Sequence, residues 1–325
     1  MRRALAATIL GLFAGELALG WPSLTSALSQ LRAPRPGWLL AAFGAALAAM
    51  AVYARMQRHL LTSAGVRVSL RSQLALTYAA HSLNETLPGG PAFSTQLNYQ
   101  QMRRFGATPA VASWCIALSG ILSTAALAAV TAVGALAGHG TPPWVSLVGA
   151  TLAAVVTIAG IRRIRRRPET LLPLARPVLA RFNRIRRRPA DHGLAAVRAL
   201  FDQLGAARLT PTHATAAVAY ALLNWLFDAA CLWLCLHSVT DRAISPVQLL
   251  LAFCTGMAAG TLTIVPCGVG IIDNAIILGL ISGGLDTPTA IAVVVLYRLI
   301  NLGFVITAGW VTWLLIRRRQ RATSQ

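Results

Sequence analysis

The 325-residue chain contains no lysine, only 9 acidic residues, and charged side chains at 12% of its length, about half the share of an ordinary soluble domain. So little charge excludes a disordered chain, which needs it in place of apolar residues, and disfavours a soluble enzyme. The five cysteines, Cys115, Cys231, Cys235, Cys254 and Cys267, lie within or beside apolar stretches, where a free thiol behaves as a small hydrophobe. No disulfide framework follows. Cys231 and Cys235 share a helix face at i, i+4, but no His or carboxylate joins them at ligand spacing, so no metal site is expected. The motifs G-x-x-x-x-G-K-[ST], H-E-x-x-H and G-x-S-x-G are all missing, which removes ATP-driven pumping by this chain alone and the common hydrolase mechanisms. No cofactor is expected, and the chain is not expected to be an enzyme.

What is present is apolar. Hydrophobic residues reach 56%, with 26 glycines besides, and the mean hydropathy is +0.63. Runs near or above the ~20 residues that span a bilayer lie at about 4–20, 38–54, 109–137, 144–160, 213–237 and 287–316. The first, after Arg2-Arg3, reads as a membrane helix rather than a signal peptide, because the next run would otherwise have to restart the topology. Two further apolar regions are broken. Region 73–105 is interrupted at Leu87-Pro88-Gly89-Gly90-Pro91, and region 246–283 at Pro266-Cys267-Gly268-Val269-Gly270. Their arms are too short to cross, so both read as re-entrant hairpins, whose irregular tips need protein or a water-filled cavity around them. The expected fold is an all-α polytopic membrane bundle of six full spans plus two re-entrant hairpins, in a single domain covering 1–325.

The net charge of +20 comes from 29 basic residues, every one an arginine. They sit in short loops between apolar runs, the pattern of the positive-inside rule, so no nucleic-acid partner is expected and anionic lipid headgroups are the expected counter-charge. With both termini cytoplasmic, as in a bacterial-type inner membrane, segments 1–3, 55–72, 103–108, 161–212 and 317–325 carry 2, 4, 2, 13 and 4 arginines. Reading either hairpin as a full span would export an arginine cluster. The Arg-rich loop 161–208 reads as a solvated or headgroup-bound linker, with docking of a lipid-modifying enzyme as the alternative use.

The chain also repeats itself. Val66–Pro88 aligns with Ile244–Pro266 at an offset of 178, Gly90 falls on Gly268 and Gly106 on Gly284, and Thr108-Pro109 meets Thr287-Pro288 after a one-residue slip. The first repeat covers about 38–137 and the second about 213–316. Their hairpins enter from opposite faces under the expected topology, which makes the repeat inverted. Paired Pro/Gly-interrupted segments in inverted halves mark the central site of a transporter.

A charge at the centre of a membrane helix costs roughly 2.5–3.5 kcal/mol and calls for a partner or a cavity. Glu16, Glu85, Asp228, Asp273 and Arg298 are placed there. Glu85 has Asn84 beside it and His81 at i−4, Asp273 is followed by Asn274, Asn224 and Asp228 share a face, and Arg298 and Asn301 are three residues apart. Arg298 is expected to pair with Asp273 or Asp228 and to meet an anionic group, for which guanidinium suits bidentate contact. Half-helices starting after the glycine pairs Gly89–Gly90 and Gly268–Gly270 would aim positive N-terminal ends at the same volume. Arg298, Asp273, Asp228, Glu85, Asn84, Asn274, Asn301 and these four glycines form the candidate substrate-binding set. Glu16 reads as a packing or interfacial residue.

The order Leu87-Pro88-Gly89-Gly90, Arg103-Arg104-x-Gly106, Pro266-x-Gly268-x-Gly270-x-x-Asp273 and Tyr297-Arg298 resembles the lysylphosphatidylglycerol synthase transmembrane family, also called flippase-like domain proteins, over about residues 5–316. The resemblance implies an inner-membrane helical bundle with re-entrant hairpins that moves lipids between leaflets. Asp273 stands where the family usually has Glu. No aminoacyl-transferase domain follows in the 325 residues, so lysyl-lipid synthesis is not expected, and some members resemble stand-alone proteins of glycolipid metabolism. The function expected is movement of an anionic or glycosylated lipid between leaflets; the alternative is a non-catalytic accessory subunit of a lipid-modifying or glycosyl-transferring enzyme.

Overall fold

The computed structural model describes residues 34–87, 89–138, 210–242, 244–260 and 270–322. The expected spans at 4–20 and 144–160, Glu16, the loop 161–208, Pro88 and the second tip with Gly268 lie outside them. The described residues are helical throughout, with no strand: α1 (Pro36–Ser63), α2 (Leu70–Thr86), α3 (Gly90–Arg104), α4 (Pro109–Gly138), α5 (Pro211–Val239), α6 (Pro246–Gly260), α7 (Ile271–Ser282), α8 (Thr287–Arg298), a π-helical turn (Leu299–Phe304) and α9 (Val305–Ala322). Proline opens α1, α4, α5 and α6, where its missing N–H is no loss and its φ is pre-set for helix. Among the described residues, four stretches are long and apolar enough to cross a membrane: Pro36–Ser63, Pro109–Gly138, Thr212–Val239 and Thr287–Arg318. The four short helices α2, α3, α6 and α7 have 17, 15, 15 and 12 residues, below the length of a span.

Helices α1 and α5 run antiparallel along their whole length. At one end the Arg35 N–H donates to the Ser238 carbonyl at 3.0 Å and Trp38 meets Trp233 edge-on and His237 at a tilt. At the other, His59 meets His213, Nδ1 to Nδ1, at 3.0 Å. Each short helix pair then packs on the long helix of the other half. A Cβ on Gly134 of α4 would lie 3.3 Å from Leu251 of α6, while Ser82 of α2 donates to the Ile306 carbonyl of α9 at 3.0 Å. Within the second pair the helices are antiparallel and very close, Gly256 against Ile276 and Gly279 against Ala252.

The 178-residue offset recurs in the turns. After α3, Gly106 donates to Arg103 and Ala107 to Met102; after α7, Gly284 donates to Ile281 and Leu285 to Leu280. Gly106 and Gly284 have φ of 92° and 101°, a conformation that only glycine adopts without strain. The next helices start in step. Thr108 Oγ1 accepts from the Val111 N–H and Asp286 Oδ2 from the Thr289 N–H, both at 3.3 Å. The one-residue slip expected before Thr287-Pro288 is therefore absent from the backbone, because Asp286 and not Thr287 takes the N-cap position of Thr108.

Charge is divided between the ends of the bundle. The end where α1 stops and α2 starts carries Arg55, Arg58, Arg67 and Arg71, and α3 finishes with Arg103 and Arg104. At the other end Arg35 pairs with Asp241 and Arg242 with Asp286. The Arg35 guanidinium holds the Asp241 carboxyl below its usual range, and Asp286 is lowered chiefly by its hydrogen bonds to Thr289.

The α2–α9 contact depends on Gly309, whose added Cβ would sit 1.7 Å from Ser82 Oγ and 2.3 Å from the Tyr78 carbonyl. Overpacking of this kind is destabilising. Gly309→Ala is expected to lower stability by about 3 kcal/mol in thermal unfolding of the detergent-solubilised protein. Gly120→Ala, with no described atom within 4 Å of the new carbon, is expected to leave it unchanged or raised.

Candidate functional site

Between the two halves lies a cavity of about 420 Å³. Its wall is assembled from Tyr53 and Gln57 of α1, Thr77, His81, Asn84 and Glu85 of α2, Ser94 and Asn98 of α3, and Ser123 of α4. The second half supplies Asn224, Trp225 and Asp228 of α5, Met257 of α6, Ile272 of α7, Tyr297 and Arg298 of α8, and Asn301 in the π turn. Helix periodicity explains why these side chains converge. Tyr53 and Gln57, Thr77 and His81, Ser94 and Asn98, and Asn224 and Asp228 are all i, i+4 pairs, so each helix turns a polar stripe toward the cavity; α1 and α5 are otherwise mostly apolar, whereas α3 is polar on its exposed face as well, at Thr95, Gln96 and Gln100.

The hydrogen bonds around α8 separate two carboxylates. Asp228 Oδ1 accepts from Tyr297 OH and from Asn301 Nδ2, both at 3.0 Å. Arg298, between those two donors in sequence, turns instead to Asp273, its Nε donating to Oδ1. Asp273 in turn caps α7, its Oδ2 accepting from the Gly270 N–H at 3.0 Å. The two charged side chains are only 16% and 20% exposed. The expected pairing of Arg298 with Asp273 or Asp228 is thus resolved in favour of Asp273. The π turn begins directly after Arg298; such turns are rare and concentrate at functional sites.

Glu85, Asn84, Asp228, Arg298 and Asn301 line the cavity, and Asp273 reaches it through Arg298. Asn84 Nδ2 donates to Glu85 Oε1 at 2.9 Å. Asn274 is not among the lining residues; it follows Asp273 by one residue, about 100° around the helix, and is exposed. Gly89, Gly90 and Gly270 shape the backbone rather than the wall. Gly89 and Gly270 have φ of 73° and 86° at the starts of α3 and α7, and Gly90 lies against the carbonyl of Asn84 so tightly that a Cβ would fall 2.0 Å from it. Tyr53, Gln57, Thr77, Ser94, Asn98 and Trp225 also line the cavity, with no charge to mark them in the sequence. The i, i+4 spacing of polar groups points to all of these but Trp225, which belongs to no such pair. No group of three potential metal ligands occurs among the described residues.

The motif residues fall at structural joints. Among the described motif glycines, Gly89 and Gly270 open α3 and α7 and Gly106 makes the turn from α3 to α4, while Asp273, Tyr297 and Arg298 meet at the cavity. The family model of the lysylphosphatidylglycerol synthase TM region matches residues 3–309. The chain belongs to this family. It is accordingly an integral membrane protein with a lipid-related role. No curated protein matches it.

In this family member, removing one partner of the ion pair strands the other. Arg298→Met alone is expected to destabilise the protein by about 3–5 kcal/mol, and the double variant Arg298→Met/Asp273→Leu to recover most of that loss. Denaturant unfolding in detergent across the double-mutant cycle measures both.

Proposed function

We propose that this protein moves a glycosylated lipid between the leaflets of a bacterial-type inner membrane, its headgroup passing through the central cavity while the acyl chains stay in lipid. The observation that carries this reading is a polar cavity at the junction of two halves that share turns, caps and mutual packing at one sequence offset. The antiparallel seam of α1 and α5 supports an inverted repeat, and the sub-length helix pairs support re-entrant hairpins. The paired charges at one end and the arginine excess at the other support cytoplasmic termini. Such an arrangement can expose one site alternately to each side.

The lining favours the glycosylated over the anionic headgroup. Arg298 is engaged by Asp273, and Asp228 and Glu85 add two more carboxylates. A free anion meets unfavourable charge there. Carboxylates and the amides of Asn84, Asn98, Asn224 and Asn301 suit the vicinal hydroxyls of a sugar, and the Trp225 ring offers an apolar face for its C–H groups.

The test is leaflet exchange of labelled lipids in proteoliposomes, with glycosylated, zwitterionic and anionic headgroups compared. Wild-type protein is expected to exchange the glycosylated lipid fastest. Trp225→Ala and Asp228→Asn, checked for folding, are each expected to lower the rate by about tenfold, the equivalent of ~1.4 kcal/mol of lost headgroup contact. Folded protein that exchanges no lipid of the panel overturns the reading and favours an accessory role.

A further inference from the structure

We propose that the cavity is joined to the arginine-rich end of the bundle by a hydrated passage along α1, α2 and α3, and that the second helix pair, α6 and α7, is a dry seal. Two independent observations meet here: buried amide atoms left without a hydrogen-bond partner on one side, and the residues that replace them on the other.

On α2, Gln73, Thr77 and His81 follow one another at i, i+4, continuing the cavity wall down toward the start of the helix. Gln73 Nε2 donates to Gln57 Oε1 at 2.7 Å, and Gln57 lines the cavity floor. Gln73 is fully buried, and the two residues before it, Arg71 and Ser72, are exposed. Gln73 Oε1, Asn98 Oδ1 and Gln101 Nε2 are buried atoms with no hydrogen-bond partner among the described residues. Each such atom is unfavourable if dry. Three of them beside one polar stripe mark a route that water or a polar headgroup occupies, since polar sites of this kind are where internal water resides.

The same positions in the second copy, 178 residues on, are Leu251 for Gln73, Ile276 for Asn98, Gly279 for Gln101 and Cys235 for Gln57. Ile276 and Cys235 are fully buried and close the space on the inner side, while Leu251 and Gly279 border an open groove of about 510 Å³ on the exposed face of α6 and α7. Ile276 is fully buried against Gly256, and Gly279 lies against Ala252. Phe253 and Leu280 are also fully buried. Thr255, the counterpart of Thr77, is exposed and donates to the carbonyl of Leu251 in its own helix at 2.8 Å. A path from the exposed face of α6 and α7 inward would meet packed hydrocarbon at Phe253, Ile276 and Leu280.

The passage deepens the transport reading, and its use as a headgroup route rests on that reading, but its hydration is measurable without any lipid exchange. Gln73→Cys, Asn98→Cys and, as the comparator, Ile276→Cys are made in the full-length protein in lipid nanodiscs. They are then treated with a membrane-impermeant methanethiosulfonate reagent, with labelling assigned by mass spectrometry. Labelling at 73 and 98 is expected to be at least about tenfold faster than at 276, because reaction follows thiol access. Equal or slower labelling at 73 and 98 overturns the passage. Hydroxyl-radical footprinting of the unaltered protein covers the case of a variant that fails to fold: modification of Tyr53 but not Phe253 supports the passage, and protection of both overturns it. Wet positions 73 and 98 in a protein without exchange activity would end the transport reading and leave the passage standing. Exchange with both positions dry would do the reverse.

Discussion

A guanidinium inside a hydrocarbon layer needs an anion within reach, and the rest of this molecule is arranged so that Arg298 has one. Its partner Asp273 is at once the cap of α7, so a single contact ties the long α8–α9 stretch to the start of a short helix. The start of a half-length helix is the part of a membrane protein with the most unpaired N–H groups. Satisfying it with a carboxylate that is itself neutralised from a neighbouring helix meets two requirements of a low-dielectric interior together. Asp228 is relieved differently, by two uncharged donors from the same stretch. The two carboxylates thus have different surroundings despite lying in one small region.

Glycine sets how close the helices come. At Gly309, Gly256 and Gly279 a side chain would collide with the neighbouring helix, and close approach of this kind is how helices gain packing energy where lipid is as apolar as leucine. At Gly106 and Gly284 the requirement is conformational, a positive φ that reverses the chain between a short helix and a long one. The two roles look alike in sequence. They differ in the consequence of substitution, since the first is a matter of space and the second of backbone strain.

The halves share a backbone plan but diverge in side chains. The first short pair carries amides at Gln73, Asn98 and Gln101, and the second carries leucine, isoleucine and glycine at the corresponding places. Under the proposed inverted repeat, this divergence gives the two routes to the cavity opposite wetting, so the asymmetry of a single resting arrangement is written into composition rather than into topology.

Much of the architecture follows from composition and spacing alone. Hydropathy and run length determine where helices cross, because the bilayer has one thickness. Proline and glycine determine where chains break, because each restricts or frees φ locally, and the charges Glu85, Asp228, Asp273 and Arg298 stand out because their desolvation is so unfavourable. What the chain could not reveal by itself is which donor meets which acceptor. Asp228 and Asp273 are equally plausible partners for Arg298 on paper. Only the packing of α8 on α5 and α7 sends Tyr297 and Asn301 to the former and the guanidinium to the latter. The uncharged half of the cavity wall was likewise decided in three dimensions, since an amide in an apolar helix has no meaning until the neighbouring helix shows whether it is covered, paired or wet.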